Sequence, residues 1–271
     1  MSKSSALVAV ISCLLALSTF AASAQQQWPA LTLNDQTVGG LRSHKAGALR
    51  LPKGTAPFAA VVILPGCNGV KHETRVWAHR IASWGYAALI VDSFRPRGIK
   101  NVCHRGGELP ADERAKDAFA AAAYLRTRPD IDPERIGLLG YSHGGWTALA
   151  AATQPLVIAN GGKAFPAVVA YYPICKPDTP ALASDLQILI GGADDWSSPK
   201  ACGDLVARYA DAPAHKPLLK IYPGATHSFD VDRADRIYLG HRLAYDAKAA
   251  TDSFDMTKKF LDSRLRGEKT Q

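Results

Sequence analysis

The stretch GLLGYSHGGWTALA, residues 137–150, constrains the fold more than any other part of the chain. An apolar run ends in Gly140, a serine follows between the bulky Tyr141 and His143, and Gly144 and Gly145 come next. Glycine weakens a helix by about 1 kcal/mol relative to alanine, so two in succession at a helix start need a steric reason. A strand that turns at once into a helix supplies one, because residues two before and two after the apex of so tight a turn must be small. The pattern Gly140-x-Ser142-x-Gly144 meets that need and holds Ser142 exposed at the apex, where backbone N–H groups can face a developing negative charge. The pattern alone arises by chance in roughly one chain in ten of this composition, so its surroundings decide its meaning.

Those surroundings are regular. Continuous Val/Ile/Leu/Ala runs at 59–65, 85–92, 135–141, 167–173, 186–192 and 218–224 predict strands covered on both faces. Helical patterns at 73–85, 110–129, 199–210 and 246–265 lie between or after them, and a further helix starts behind Ser142. The segment 110–129 opens on proline and acids and closes on arginines, the polarity that a helix dipole favours. Strand, helix, strand in steady alternation predicts an α/β fold, a mostly parallel central sheet with helices on both faces. The connection 172–185 is short and holds three prolines, so no large lid is expected there.

A serine nucleophile needs a base, and the base needs an orienting acid. Downstream of Ser142, GGADDWSSP follows the strand at 186–192 and YPGATHSFD follows the strand at 218–224. His227 and one of Asp194 or Asp195 therefore fall on loops at the same sheet edge as Ser142, in the order serine, acid, histidine. The second oxyanion donor should come from the loop after the strand at 59–65, where Cys67 in PGCNG is the candidate; the first is the backbone N–H of His143.

The first 24 residues read differently from the rest. Lys3 precedes an apolar run from Ala6 to about Phe20, and Ala22-Ser23-Ala24 closes it with a cleavage pattern, so 1–24 is expected to be a signal peptide removed after Ala24. The remainder, 25–271, is expected to be a single domain, periplasmic or secreted, with no stable membrane association. Outside 1–24 lie Cys67, Cys103, Cys175 and Cys202, an even number that suits two disulfides in an exported chain. Cys175 and Cys202 follow neighbouring strands and are expected to pair, as are Cys67 and Cys103. No C-x-x-C spacing occurs, so a metal site is not expected, and the serine, histidine and acid need no cofactor for their chemistry. The formal net charge is +8, but Lys and Arg are scattered among acids with no basic stripe, which argues against nucleic acid as a partner. The partner expected is a small-molecule ester.

Taken together, PGCNGV, GYSHGGW, YYPIC, GGADDWSSPKAC and YPGATHSFD resemble the dienelactone hydrolase family of α/β-hydrolases, over about residues 50–262. The resemblance implies a triad of Ser142, an aspartate and His227, and carboxylic ester cleavage through an acyl-enzyme. The founding members of that family carry cysteine where this chain has Ser142. The family pattern G-x-x-D with proline four residues later is met by Gly192, Asp195 and Pro199, which favours Asp195 over Asp194 as the acid.

Overall fold

A computed structural model describes residues 36–38, 41–44, 47–212 and 214–266, the first two segments by their backbone alone. The signal peptide expected over 1–24 lies outside the described residues. Eleven strands and six helices are present among them, in two sheets. Strands β1 (Gln36–Val38), β2 (Leu41–His44) and β3 (Gly47–Arg50) come first, then β4 (Phe58–Leu64), α1 (His72–Ser83), β5 (Ala87–Val91) and α2 (Ala111–Arg126). The middle of the chain forms β6 (Ile131–Tyr141), α3 (His143–Ala151), α4 (Gln154–Ala159), β7 (Ala167–Tyr171), β8 (Asp185–Gly191) and α5 (Pro199–Ala207). It ends with β9 (Leu218–Tyr222), β10 (Arg236–Tyr238), β11 (His241–Leu243) and α6 (Ala247–Leu265).

Nine strands make one sheet in the order β1-β2-β3-β5-β4-β6-β7-β8-β9. From β5 to β9 every pairing is parallel, while β1, β2 and β3 are antiparallel to their neighbours. The parallel part is the six expected strands, and its centre is dry: β5 and β7 are buried at every residue, and β4 at every residue but Phe58. Such strands need cover on both faces. Helices α1 and α6 meet through Trp77 and Phe254, whose ring centroids are 5.3 Å apart, and α2 packs with α3. Helix ends follow the local chemistry: Asp246 caps α6 by accepting from the N–H groups of Lys248 and Ala249, and Ser198 caps α5 ahead of Pro199.

Both expected disulfides form, Cys67–Cys103 and Cys175–Cys202, with Cα atoms 4.8 and 5.0 Å apart. No large lid is inserted among the described residues. The β10–β11 hairpin, which the sequence did not announce, stands over the sheet edge where β4, β6, β8 and β9 end.

Candidate active site

Four loops converge at the carboxyl ends of the parallel strands, where ligands of open α/β sheets bind. The turn after β6 is the tightest. Ser142 holds φ 55° and ψ −122°, a conformation that L-residues avoid, and it is fixed there by its N–H donating to the Tyr171 carbonyl (3.0 Å) and its carbonyl accepting from the Trp146 N–H (2.9 Å). A Cβ on Gly140 would lie 2.0 Å from the Gly144 carbonyl oxygen, and one on Gly144 would lie 2.1 Å from that of Leu64. The small residues flanking the serine are therefore a steric requirement. Gly145 belongs with them, since its Cβ would come 2.5 Å from the Tyr171 oxygen.

The histidine and the acid arrive from β9 and β8. The Ser142 Oγ lies 3.0 Å from His227 Nε2, and His227 Nδ1 lies 2.8 Å from Asp194 Oδ2. Both His227 and Asp194 are buried. A carboxylate only accepts, so Nδ1 carries the proton and Nε2 is left free to accept from the serine hydroxyl.

The carboxylate that meets His227 is thus Asp194, and the expectation of Asp195 is corrected. The glycine that opens the acid turn is Gly191, not Gly192. A Cβ at Gly191 would meet the Ala225 oxygen at 2.2 Å, while the N–H groups of Gly192 and Ala193 donate to Tyr222 and Ala225. Counted from Gly191, the third residue faces inward. Asp194 Oδ1 then accepts from the N–H groups of Trp196 (2.9 Å) and Ser197 (2.7 Å), which aims Oδ2 at the imidazole. Asp195 turns outward, half exposed, toward His241 Nδ1 (3.3 Å) and the Arg242 N–H (3.4 Å).

The cleft in front of Ser142 is small, about 50 Å³, and is lined among others by Gly66, Cys67, Trp196, Arg233, Arg236 and Tyr238. Cys67 is where the sequence placed it, beside the serine on the loop after β4, and His143 opens α3 directly behind the serine. Neither of their N–H groups donates to another backbone group among the described residues. The hairpin closes the cleft from above, with the Tyr238 hydroxyl donating to Asn68 Oδ1 at 3.3 Å. Trp196 lies against His227 on one side and stacks on His241 on the other, with centroids 5.1 and 4.5 Å apart.

The imidazole of His143 does not face the cleft. It is buried between Arg114, whose guanidinium donates to Nδ1 (3.0 Å), and the Gly106 carbonyl, which accepts from Nε2 (3.0 Å). Burial, and then the neighbouring guanidinium, push its pKa down to about 4, so it is neutral at ordinary pH. Arg97 is buried in a two-pronged pair with Asp117, both contacts 2.8 Å.

Tyr172 ties together the loops that carry His227 and Asp194, and no sequence signal beyond its place in YYPIC pointed to it. At φ 36° it sets its ring 4.6 Å from that of His227, accepts from the Ser197 hydroxyl at its carbonyl (3.0 Å), and donates its own hydroxyl to Asp230 (2.8 Å). Asp230 also accepts from Trp77 Nε1 (3.0 Å), and burial raises its pKa above the usual carboxylate range. One residue at the end of β7 thus ties the acid turn to the histidine loop and to α1.

A parallel sheet whose carboxyl edge presents serine, histidine and carboxylate in hydrogen-bonded series is the architecture of an α/β-hydrolase. The chain belongs to the dienelactone hydrolase family, whose model matches residues 46–265, and it is a hydrolase acting on ester bonds. It is 25% identical over 245 residues to a Synechocystis protein described as "Putative carboxymethylenebutenolidase", an alignment covering 85% of this chain and 96% of the relative. A Bradyrhizobium protein described as "Probable 2-oxo-3-(5-oxofuran-2-ylidene)propanoate lactonase" is 26% identical, with 86% and 95% covered. In three dimensions the chain superposes on a Klebsiella pneumoniae structure titled as a "Putative Dienelactone Hydrolase" with a TM-score of 0.66 at 18% identity, covering 86% of this chain and 99% of that one.

Proposed function

We propose that the chain is an exported serine hydrolase that cleaves a small ester or lactone through Ser142, His227 and Asp194. The observation that carries this reading is the unbroken series of hydrogen bonds at 3.0 and 2.8 Å from serine to imidazole to buried carboxylate. His227 Nε2 takes the hydroxyl proton as Ser142 Oγ attacks the carbonyl carbon. Asp194 holds the imidazole in the accepting tautomer and stabilises the imidazolium that forms. The N–H groups of Cys67 and His143 receive the oxyanion. Collapse of the tetrahedral intermediate breaks the bond to the alcohol oxygen, which leaves with the proton from His227. Water, deprotonated by the same imidazole, then attacks the acyl-enzyme and releases the acid. In a lactone, alcohol and acid stay in one molecule.

Two arginines against one acid, Glu73, at the wall of the cleft support a small substrate with an anionic substituent. Arg236 lies at its wall with no acidic partner among the described residues, and Arg233 reaches only Glu73, at 4.0 Å. Two disulfides and the expected signal peptide at 1–24 support a periplasmic or secreted location, which N-terminal sequencing of the mature protein tests: it should begin at Gln25. The mechanism is tested by Ser142→Ala. The variant should lose at least about 10³-fold in kcat with KM nearly unchanged, and only the wild type should be labelled by a fluorophosphonate. Near-normal turnover in Ser142→Ala would remove the mechanism.

A further inference from the structure

Arg114 is the largest side chain that the fold buries completely. It sits on the inner face of α2, in step with Ala111, Ala115 and Ala118. Burying a guanidinium is costly unless its charge and its N–H groups are met. No carboxylate is in ion-pair contact with it among the described residues. The nearest candidate, Asp117, is held two-pronged by Arg97, so two arginines share one acid. Arg114 donates instead to three neutral acceptors: the Pro65 carbonyl (2.8 Å), His143 Nδ1 (3.0 Å) and the Ser93 hydroxyl (3.2 Å), with the Phe94 ring 4.7 Å below its plane. Burial lowers its pKa to about 10, which leaves it charged at neutral pH.

The identity of those acceptors matters. Pro65 is two residues before Cys67, and His143 is the first residue of α3. One rigid fork therefore holds both segments whose N–H groups are proposed above to receive the oxyanion. A tie between two loops could be made by a neutral side chain. A charge that Asp117 and Asp92 offset only from a distance, with no carboxylate in contact, does something a neutral tie cannot: it favours the form of the substrate that carries negative charge.

We propose that Arg114 is a positioning residue for the oxyanion hole, fixing the separation of the Cys67 and His143 amides and biasing the site toward the anionic tetrahedral intermediate. The inference rests on the Ser142 reading above. It separates from a purely structural role by what it moves. A structural tie lowers stability and leaves kcat, KM and inhibitor selectivity alone.

The test compares wild type, Arg114→Met and Arg114→Lys for kcat and KM on a short p-nitrophenyl ester. It also measures their affinity for phenylboronic acid, which becomes a tetrahedral anion on a serine, and melting curves confirm that each variant is folded. Arg114→Met should lose about 10- to 100-fold in kcat, less than deletion of a direct donor, with KM within about threefold. Boronate affinity should fall by the same factor. Arg114→Lys, charged but unable to span both acceptors, should lose about tenfold on both readouts. Wild-type kcat and boronate affinity in a folded Arg114→Met overturn the inference. If that variant does not fold, the same result in Arg114→Lys overturns it. Failure of the parent reading looks different: the wild type itself would not be labelled at Ser142 by a fluorophosphonate, and both proposals would fall together.

Discussion

Replacing each of the two adjacent aspartates by asparagine separates their roles by about three orders of magnitude. Asp194 accepts three hydrogen bonds, two from the amides of Trp196 and Ser197 and one from His227 Nδ1. Asparagine has one acceptor oxygen, and the two buried amides claim it. Its NH₂ group must then point at Nδ1, which can answer a donor only by giving up its proton. The proton moves to Nε2 and faces Ser142, so the base is already occupied. Wrong-tautomer substitutions of this kind cost about 10⁴-fold in kcat, or about 5.5 kcal/mol of transition-state stabilisation. Asp195 is half exposed, and its contacts with His241 and the Arg242 amide are 3.3 and 3.4 Å long. A surface pair of that quality contributes about 0–1 kcal/mol, so Asp195→Asn should change kcat by less than about fivefold. Saturation curves on a short p-nitrophenyl ester, with melting curves to confirm folding, decide the matter. A folded Asp194→Asn within tenfold of wild type, or a larger loss in Asp195→Asn, would refute the assignment.

Two further outcomes are expected. His143 is neutral in the folded state, with its pKa lowered to about 4, whereas the unfolded chain protonates it near the ordinary value of 6.5. Stability should therefore fall as pH drops from about 6.5 toward 4, by at most about 3 kcal/mol from this group, and urea midpoints of His143→Gln should show a shallower slope over that window. Gly144→Ala should abolish soluble, active protein, because the new Cβ meets the Leu64 backbone at 2.1 Å; Gly203→Ala in α5, where nothing lies within 4 Å, should raise the unfolding free energy from urea titration by about 0.5–1 kcal/mol.

The sequence revealed most where one force dominates. The six parallel strands are legible because each is an apolar run that only a doubly covered sheet can bury, and all six occur where expected. The serine turn is legible because backbone crowding leaves only glycine at 140 and 144. Both disulfides followed from which loops share a sheet edge. What escaped depends on neighbours distant in sequence. Strands β1 to β3 are three or four residues each, too short for a periodic signal. The β10–β11 hairpin, with three residues per strand, reads RIYLGHRL and carries no continuous apolar run.

The acid is the instructive failure. Two aspartates in succession differ by one residue of register in a turn, and register there is set by which glycine abuts Ala225, a contact made across thirty-odd residues of chain. Counting by the family's G-x-x-D spacing with a proline four residues later chose Gly192; the backbone of the next loop chose Gly191. Arg114 escaped as well, although its place on α2 carries a signal. An arginine at the buried step of an alanine-rich helix face cannot be there for the core's benefit, since the core would be better served by leucine. The same helix places Asp117 on that face as well, so α2 carries two charged groups inward where its periodicity asks for none. Polar residues that break an apolar stripe mark the place where stability has been given up for something else, and in this chain Arg114 lies behind the two segments that bracket Ser142 while Asp117 anchors the loop after β5 through Arg97.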